Sequence, residues 1–288
     1  VEVPVNVLPA RRQDLGDGMV VTRALPNAAR RTVGPWCFVD VFGPIAVTGP
    51  ERDVRPHPHV GLATVTWLLS GAVLHRDTLG SAQRIAPGQL NWMSSGRGIA
   101  HSEHFQPGAP LRGVQSWLAL PEAHRTSAPW FRHEASVPQA QVGGLSAAVW
   151  TGTLAGVEGA VSSPHPAVGA ELRLDGAAEL PLTPGFEHAV LWLEGEARLD
   201  GEVLPTDVLV ALPAGADALR LEGRGVGVLF GGAPFGPLLL WWNFAARTRD
   251  EVVAAREAWE GGAFGEVPGA SGRIPAPDVP PGLVGSQR

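Results

Sequence analysis

Lysine and tyrosine are absent from this chain of 288 residues, and all 22 of its cationic side chains are arginine. That absence removes a Schiff-base lysine, a phosphate-loop lysine and a tyrosine general acid from the available chemistry. Cysteine is almost missing as well. The one thiol, Cys37, leaves no internal disulfide and no cysteine-rich zinc site. Its neighbours Trp36, Phe38 and Val39 predict a buried, inert side chain rather than a nucleophile. No apolar run approaches the ~20 residues that span a bilayer, and no signal-peptide core opens the sequence, so the expected setting is a reducing cytoplasm without membrane contact. The formal charge of −6 is uneven. Counting Arg, Asp and Glu, residues 1–140 carry about +3 and residues 141–288 about −9. Neither half has a basic stripe that would track phosphates, so direct nucleic-acid binding is not expected.

What the chain has in abundance is glycine (37) and proline (27), spread along a sequence that is 44% hydrophobic. This suits many short strands joined by tight turns, and predicts an all-β protein. Strands are expected over Leu62–Leu69, Ala72–Asp77 and Leu90–Met93, with turns at Ser70-Gly71 and Pro87-Gly88. A second stretch repeats the plan. His188–Gly195 echoes Thr64–Gly71, Pro205 falls where Pro87 did, and Pro213-Ala214-Gly215 matches Ser94-Ser95-Gly96. Two copies of one β unit suggest duplicated barrels or sandwiches, divided as residues 1–140 and 141–288. Thr248 to Glu251 has the form of a capping box, and Val252, Ala255, Ala258 and Trp259 follow helical spacing up to Gly261. One helix over about 249–260 is therefore predicted, packed on the outside of the second barrel. Beyond Gly265 the Pro- and Gly-rich tail has little to bury and is expected to be extended or loose.

The chemistry concentrates in two short segments, His57-Pro58-His59 and His101-Ser102-Glu103. In a strand, residues two apart share one face, so each segment presents a pair of potential metal ligands together. Pro56 and Pro58 favour extended backbone around His57. The Gly96-Arg97-Gly98 turn is expected to reverse the chain so that the second segment runs back beside its predecessor. Three imidazoles and one carboxylate suit Fe(II), Mn(II), Ni(II) or Zn(II), and are too rich in nitrogen for Ca or Mg. An ion of octahedral preference keeps positions open for substrate or dioxygen, and a closed structural zinc is the other arrangement. Counting from the matched glycines, the second repeat places Thr183 near the position of His59 and Arg220-Leu221-Glu222 near His101-Ser102-Glu103, so only the first half is expected to bind metal. His75-Arg76-Asp77 reads as a catalytic dyad or a surface salt bridge. His104 is expected to point away from Glu103, and His165 to be an exposed loop residue.

Taken with Gly61, Thr64-Val65-Thr66, Asn91-Trp92-Met93 and Gly96-Arg97-Gly98, the two ligand segments resemble the pirin family, most densely over residues 55–121. The resemblance implies two stacked cupin barrels, one Fe(II) in the first and no metal in the second. It carries the family's ligands onto His57, His59, His101 and Glu103, with Mn, Ni, Zn or Cu as alternative ions. The carboxylate of the general cupin pattern, expected a few residues after His-x-His, is replaced here by Ala63 and Thr64, a departure that pirins share. Two functions are implied. One is a quercetin 2,3-dioxygenase-like oxidoreductase, with a small aromatic substrate and dioxygen as partners and Glu103 as both ligand and catalytic base. The other is a metal-binding regulatory module with a protein partner and no turnover.

Overall fold

Between its glycine and proline turns the chain is almost wholly extended. The computed structural model describes residues 6–15, 20–49 and 53–285, and a single α-helix stands among the strands of those residues. None of the described helical structure is long and apolar enough to cross a membrane. The described residues fall into two compact units, one drawn from Val1–Arg12, Thr22–Asp40 and Ser136–Phe235 and the other from Gln13–Val21, Val41–Ala135 and Gly236–Arg288. In this grouping the segment after Phe235 goes with the strands of the first half.

In the unit that carries the histidine segments, eight strands matter: β1 (Val54–His59), β2 (Leu62–Ser70), β3 (Val73–Asp77), β4 (Ala82–Ile85), β5 (Leu90–Ser94), β6 (Ile99–Phe105), β7 (Leu111–Ala119) and β8 (Trp130–Glu134). They form two antiparallel runs, β1-β6-β3-β4 and β8-β5-β2-β7. Here the structure corrects the expected pairing, since β6 does not lie beside β5. The turn between them carries the chain from one sheet to the other. Ser95, fully buried, fixes it by donating its hydroxyl to Leu62 O at 2.6 Å, while Gly98 N donates to Ser95 O at 2.8 Å. Gly98 has φ +145°, a conformation that L side chains rarely adopt, and a Cβ there would enter the Phe264 ring.

The helix α1 (Arg249–Glu260) begins and ends where its caps place it. Thr248 Oγ accepts from Glu251 N at 3.3 Å, and Glu251 in return accepts from Arg247 N at 2.8 Å, one residue earlier than a standard capping box requires. Thr248→Ala is expected to cost about 1 kcal/mol, measurable as a lowered urea midpoint. The helix and tail pack on strands of the unit that carries the histidine segments, with which they group. Trp259 is buried with Val267 and Ala276 against Ala100 of β6. Trp259 Nε1 donates to Ile274 O at 2.9 Å, and Ile274 N donates to Pro56 O at 2.8 Å. The tail, expected to be extended or loose, is strapped across the outer face of β1 and β6, and only residues 286–288 lie outside the described part. A few apolar anchors and carbonyl contacts hold a segment that composition alone marks as unfolded.

The other unit is built on long strands, β9 (Ala167–Pro181), β10 (Glu187–Leu199) and β11 (Ala218–Gly232), with β11 between the other two. Its interior is filled by Val168, Ala170, Leu172, Val190, Trp192 and Leu229 among others. A Cβ on Gly227 would meet the Trp192 ring, so that glycine lets the indole fill the barrel. At the position matched to the second histidine segment, Leu221 points into this core while Arg220 lies outside, paired with Glu179 at 2.9 Å.

Candidate metal centre

Strand register assembles the site like a grid. On the inner face of β1-β6-β3, His57 pairs directly with His101, which pairs on its other side with Asp77. One step toward the β6 N-terminus, His59 lies opposite Ile99, and one step the other way Glu103 lies opposite His75. The ring centroids of His57, His59 and His101 form a triangle with sides of 5.1, 4.4 and 5.0 Å. One ligand atom from each lies within 4.8 Å of the others. His59 Nε2 and His101 Nε2 are 3.1 Å apart. Two nitrogens each ~2.1 Å from one ion, and about a right angle apart, would be separated by roughly 3.0 Å.

The protonation of the rings suits the same purpose. All three are buried, at 8%, 1% and 3% exposure for His57, His59 and His101. Burial lowers His57 to about 4, and lowers His59 and His101 well below the usual imidazole value, with the neighbouring rings pushing the same way. Near neutrality each ring therefore keeps a free lone pair, the form that binds metal. The Arg55 carbonyl, which can only accept, takes a hydrogen bond from His57 Nδ1 at 2.9 Å and so leaves Nε2 as the lone-pair nitrogen. His59 Nδ1 is buried without a hydrogen-bond partner of good geometry, although the Asn243 backbone is near enough to favour its charged form. Three convergent neutral imidazoles fit one divalent transition ion.

Glu103 is different. It shares the face of His101, but its carboxylate is not within 4.8 Å of all three rings. Relative to β1, the ladder is irregular between His101 and Glu103, so the register does not carry Glu103 to the same place on β1 as a regular ladder would. Burial pushes the Glu103 carboxyl up to about 7.

Residues of the facing sheet close the cup. Thr64, Thr66, Gln115, Trp117, Asn91 and Met93 share one face by register. The Trp117 ring lies 5.0 Å from His59, and Phe131 of β8 stacks on His75 at 4.3 Å and 9°. Thr66 donates to Gln115 at 2.9 Å, and Asn91 Oδ1 lies 2.7 Å from His133 Nδ1. The wall thus combines ring faces with hydrogen-bonding groups.

His75 and Asp77 need correction. They are not at the surface: exposure is 5% and 0%, and His75 Nε2 lies 3.0 Å from Asp77 Oδ2. Alternation shows which residues share a face, but not that this face is covered. Burial alone would raise Asp77, but hydrogen bonds from His75 and Ser81 outweigh it and hold the carboxyl below its usual range. His104 points outward as expected, where it contacts Asp53 at 2.8 Å and Ser102 at 2.9 Å. His165 is in a loop but half-buried, with Nε2 3.0 Å from Ala233 O. Cys37 is fully buried.

Two β-barrel units, one with a histidine-lined cup and one with an apolar interior, define a bicupin protein. The Pirin family profile matches residues 18–118, and the Pirin C-terminal cupin domain profile matches residues 168–265. The chain belongs to the pirin family. It is 40% identical over 282 residues to a Pseudomonas aeruginosa protein named “Putative quercetin 2,3-dioxygenase”, covering 94% of this chain and 89% of that one. A crystal structure titled as quercetin 2,3-dioxygenase from Acinetobacter baumannii superposes with a TM-score of 0.92 at 38% identity, over 98% of this chain and 97% of the other. A bacterial pirin from Escherichia coli in complex with nickel(II) shares the fold, with a TM-score of 0.65 at 16% identity, over 81% of this chain and all (100%) of that one.

Proposed function

We propose that this protein is a metal-dependent dioxygenase that opens the central ring of quercetin-type flavonols, with Fe(II) as its ion and His57, His59, His101 and Glu103 as the ligands. The observation that carries the reading is the cup itself, in which three neutral, convergent imidazoles face a wall of Trp117, Met93 and Phe131 interleaved with Thr66, Gln115 and Asn91. A bound divalent transition ion would supply open positions for a flavonol oxygen and for dioxygen. The protein's own groups do the rest. Apolar ring faces receive a flat aromatic substrate and exclude water, while the side-chain amides orient its hydroxyls. Glu103, whose carboxyl burial pushes up to about 7 in the metal-free protein, is the group placed to accept the flavonol 3-hydroxyl proton. Similarity to proteins named for this activity supports the same reading.

The test is anaerobic loading with Fe(II), followed by addition of oxygenated buffer and quercetin. One dioxygen consumed per quercetin lost, with carbon monoxide released, is the expected result. Full metal occupancy without oxygen uptake would overturn it, and would favour a metal-dependent regulatory module that binds a protein partner.

A further inference from the structure

Behind the three histidines lies a second row of buried polar groups that metal binding alone does not explain. His101 Nδ1 is 3.2 Å from His75 Nδ1, His75 Nε2 is 3.0 Å from Asp77 Oδ2, and Asp77 Oδ1 accepts from Leu79 N at 2.9 Å and Ser81 N at 3.0 Å. The direction of this chain follows from elementary donor and acceptor counting. A carboxylate only accepts, so His75 Nε2 must carry the proton that faces Asp77. A neutral His75 then has a bare Nδ1, which can only accept, so His101 must carry its proton on Nδ1. That leaves the His101 Nε2 lone pair directed at His59 Nε2 and the centre of the triangle. Phe131, stacked flat on His75, holds the relay ring in plane.

We propose that His75 and Asp77 are positioning residues whose hydrogen-bond relay, Asp77 to His75 to His101, fixes the tautomer in which His101 offers Nε2 to the metal. The proposal rests on the ligand reading above. It extends that reading to two residues that touch neither ion nor substrate. Ligating histidines elsewhere are oriented by an outer carboxylate or carbonyl, and losing that partner typically costs about 10- to 100-fold in metal affinity. Here the carboxylate acts at one remove, through a second imidazole, while the Arg55 carbonyl serves His57 directly.

Asp77→Asn gives a test whose sign is set by the backbone. The amides of Leu79 and Ser81 pin the amide oxygen, so the new NH2 must face His75 Nε2 and donate to it. His75 is then protonated on Nδ1 and clashes with a proton on His101 Nδ1, which drives His101 to the tautomer with its proton on Nε2, aimed at the ion. Two measurements separate the relay from the ligand reading. The first is imidazole 15N NMR of metal-free protein, where the wild type is expected to show His101 protonated on Nδ1 and His75 on Nε2, with both assignments reversed in Asp77→Asn. The second is Ni(II) affinity by chelator competition, expected to fall roughly 10- to 100-fold in Asp77→Asn and in His75→Leu, with His75→Gln recovering most of the loss because its amide both accepts and donates. A wild type that fails to bind Ni(II) sinks the ligand assignment, while the NMR tautomers still decide the relay. A doubly protonated His75, unchanged tautomers in Asp77→Asn, or affinities within about 2-fold of a Ni(II)-binding wild type overturn the relay. If Asp77→Asn does not fold, the pair His75→Leu and His75→Gln decides the question by rescue.

Discussion

His101→Ala is expected to abolish stoichiometric metal binding, with an affinity loss beyond the roughly 10- to 100-fold typical of outer partners. The reason lies in the grid. His101 is the one ring in contact with both of the other histidine ligands and with His75, at 4.4, 5.0 and 5.1 Å between centroids. Removing it leaves His57 and His59 as the remaining imidazoles beside Glu103 and turns the bare His75 Nδ1 toward an empty space. The measurement is metal content after dialysis against a defined free-metal buffer, for Fe(II) under anaerobic conditions and for Ni(II). Oxygen uptake with quercetin should vanish in parallel. His165→Ala, whose ring contacts Ala233 O and Phe235 in the other unit, should keep wild-type metal content. A His101→Ala protein that still held one ion per chain would place the metal elsewhere.

The spacing of the ligand pairs makes the site legible in the sequence, because a period of two is the one geometric rule a strand obeys strictly. His57, His59 and His101 come together for that reason. Register between strands is a different kind of information. The chain leaves β5 through Gly96 and Gly98 and joins β1 and β3 in the other sheet, and nothing local distinguishes that crossing from a hairpin. The same gap hid the relay. His75 and Asp77 share a face by alternation, but only the pairing of β3 with β6 shows that this is the face His101 occupies. The C-terminal segment shows a third limit. Its proline and glycine content suggests a loose tail, whereas Val267 and Ala276 dock on Trp259. That packing also places α1 against β6 of the histidine-bearing unit. Composition registers the average of a segment, and a few buried contacts are enough to override it.

Glu103→Gln is expected to change stability with opposite signs in the metal-free and metal-loaded protein. In the metal-free protein the folded carboxyl titrates near 7 instead of 4.5, so the folded state holds its proton more tightly than the unfolded chain across that window. Stability from this group is therefore intact below pH 4.5, falls as pH rises, and is fully lost above about 7. The full shift corresponds to roughly 3 kcal/mol, and the partial exposure of the side chain reduces it to about 1–2 kcal/mol. The histidines tilt the other way. His57, lowered to about 4, contributes stability that is present above pH 6.5 and lost as pH falls toward 4. Gln removes only the carboxyl term. Metal-free Glu103→Gln should match the wild type near pH 4.5 and exceed it in Tm at pH 8. With Ni(II) in excess at pH 8 the order should invert, because an ion beside His101 stabilises the fold in proportion to its affinity, and the neutral amide is a poorer ligand than a carboxylate. Thermal melts at the two pH values, with and without metal, read both signs in one experiment. A variant no more stable than wild type when metal-free at pH 8 would mean that Glu103 is already paired in solution. A variant that gained as much stability from Ni(II) as the wild type would remove Glu103 from the ligand set and leave the three histidines to hold the ion alone.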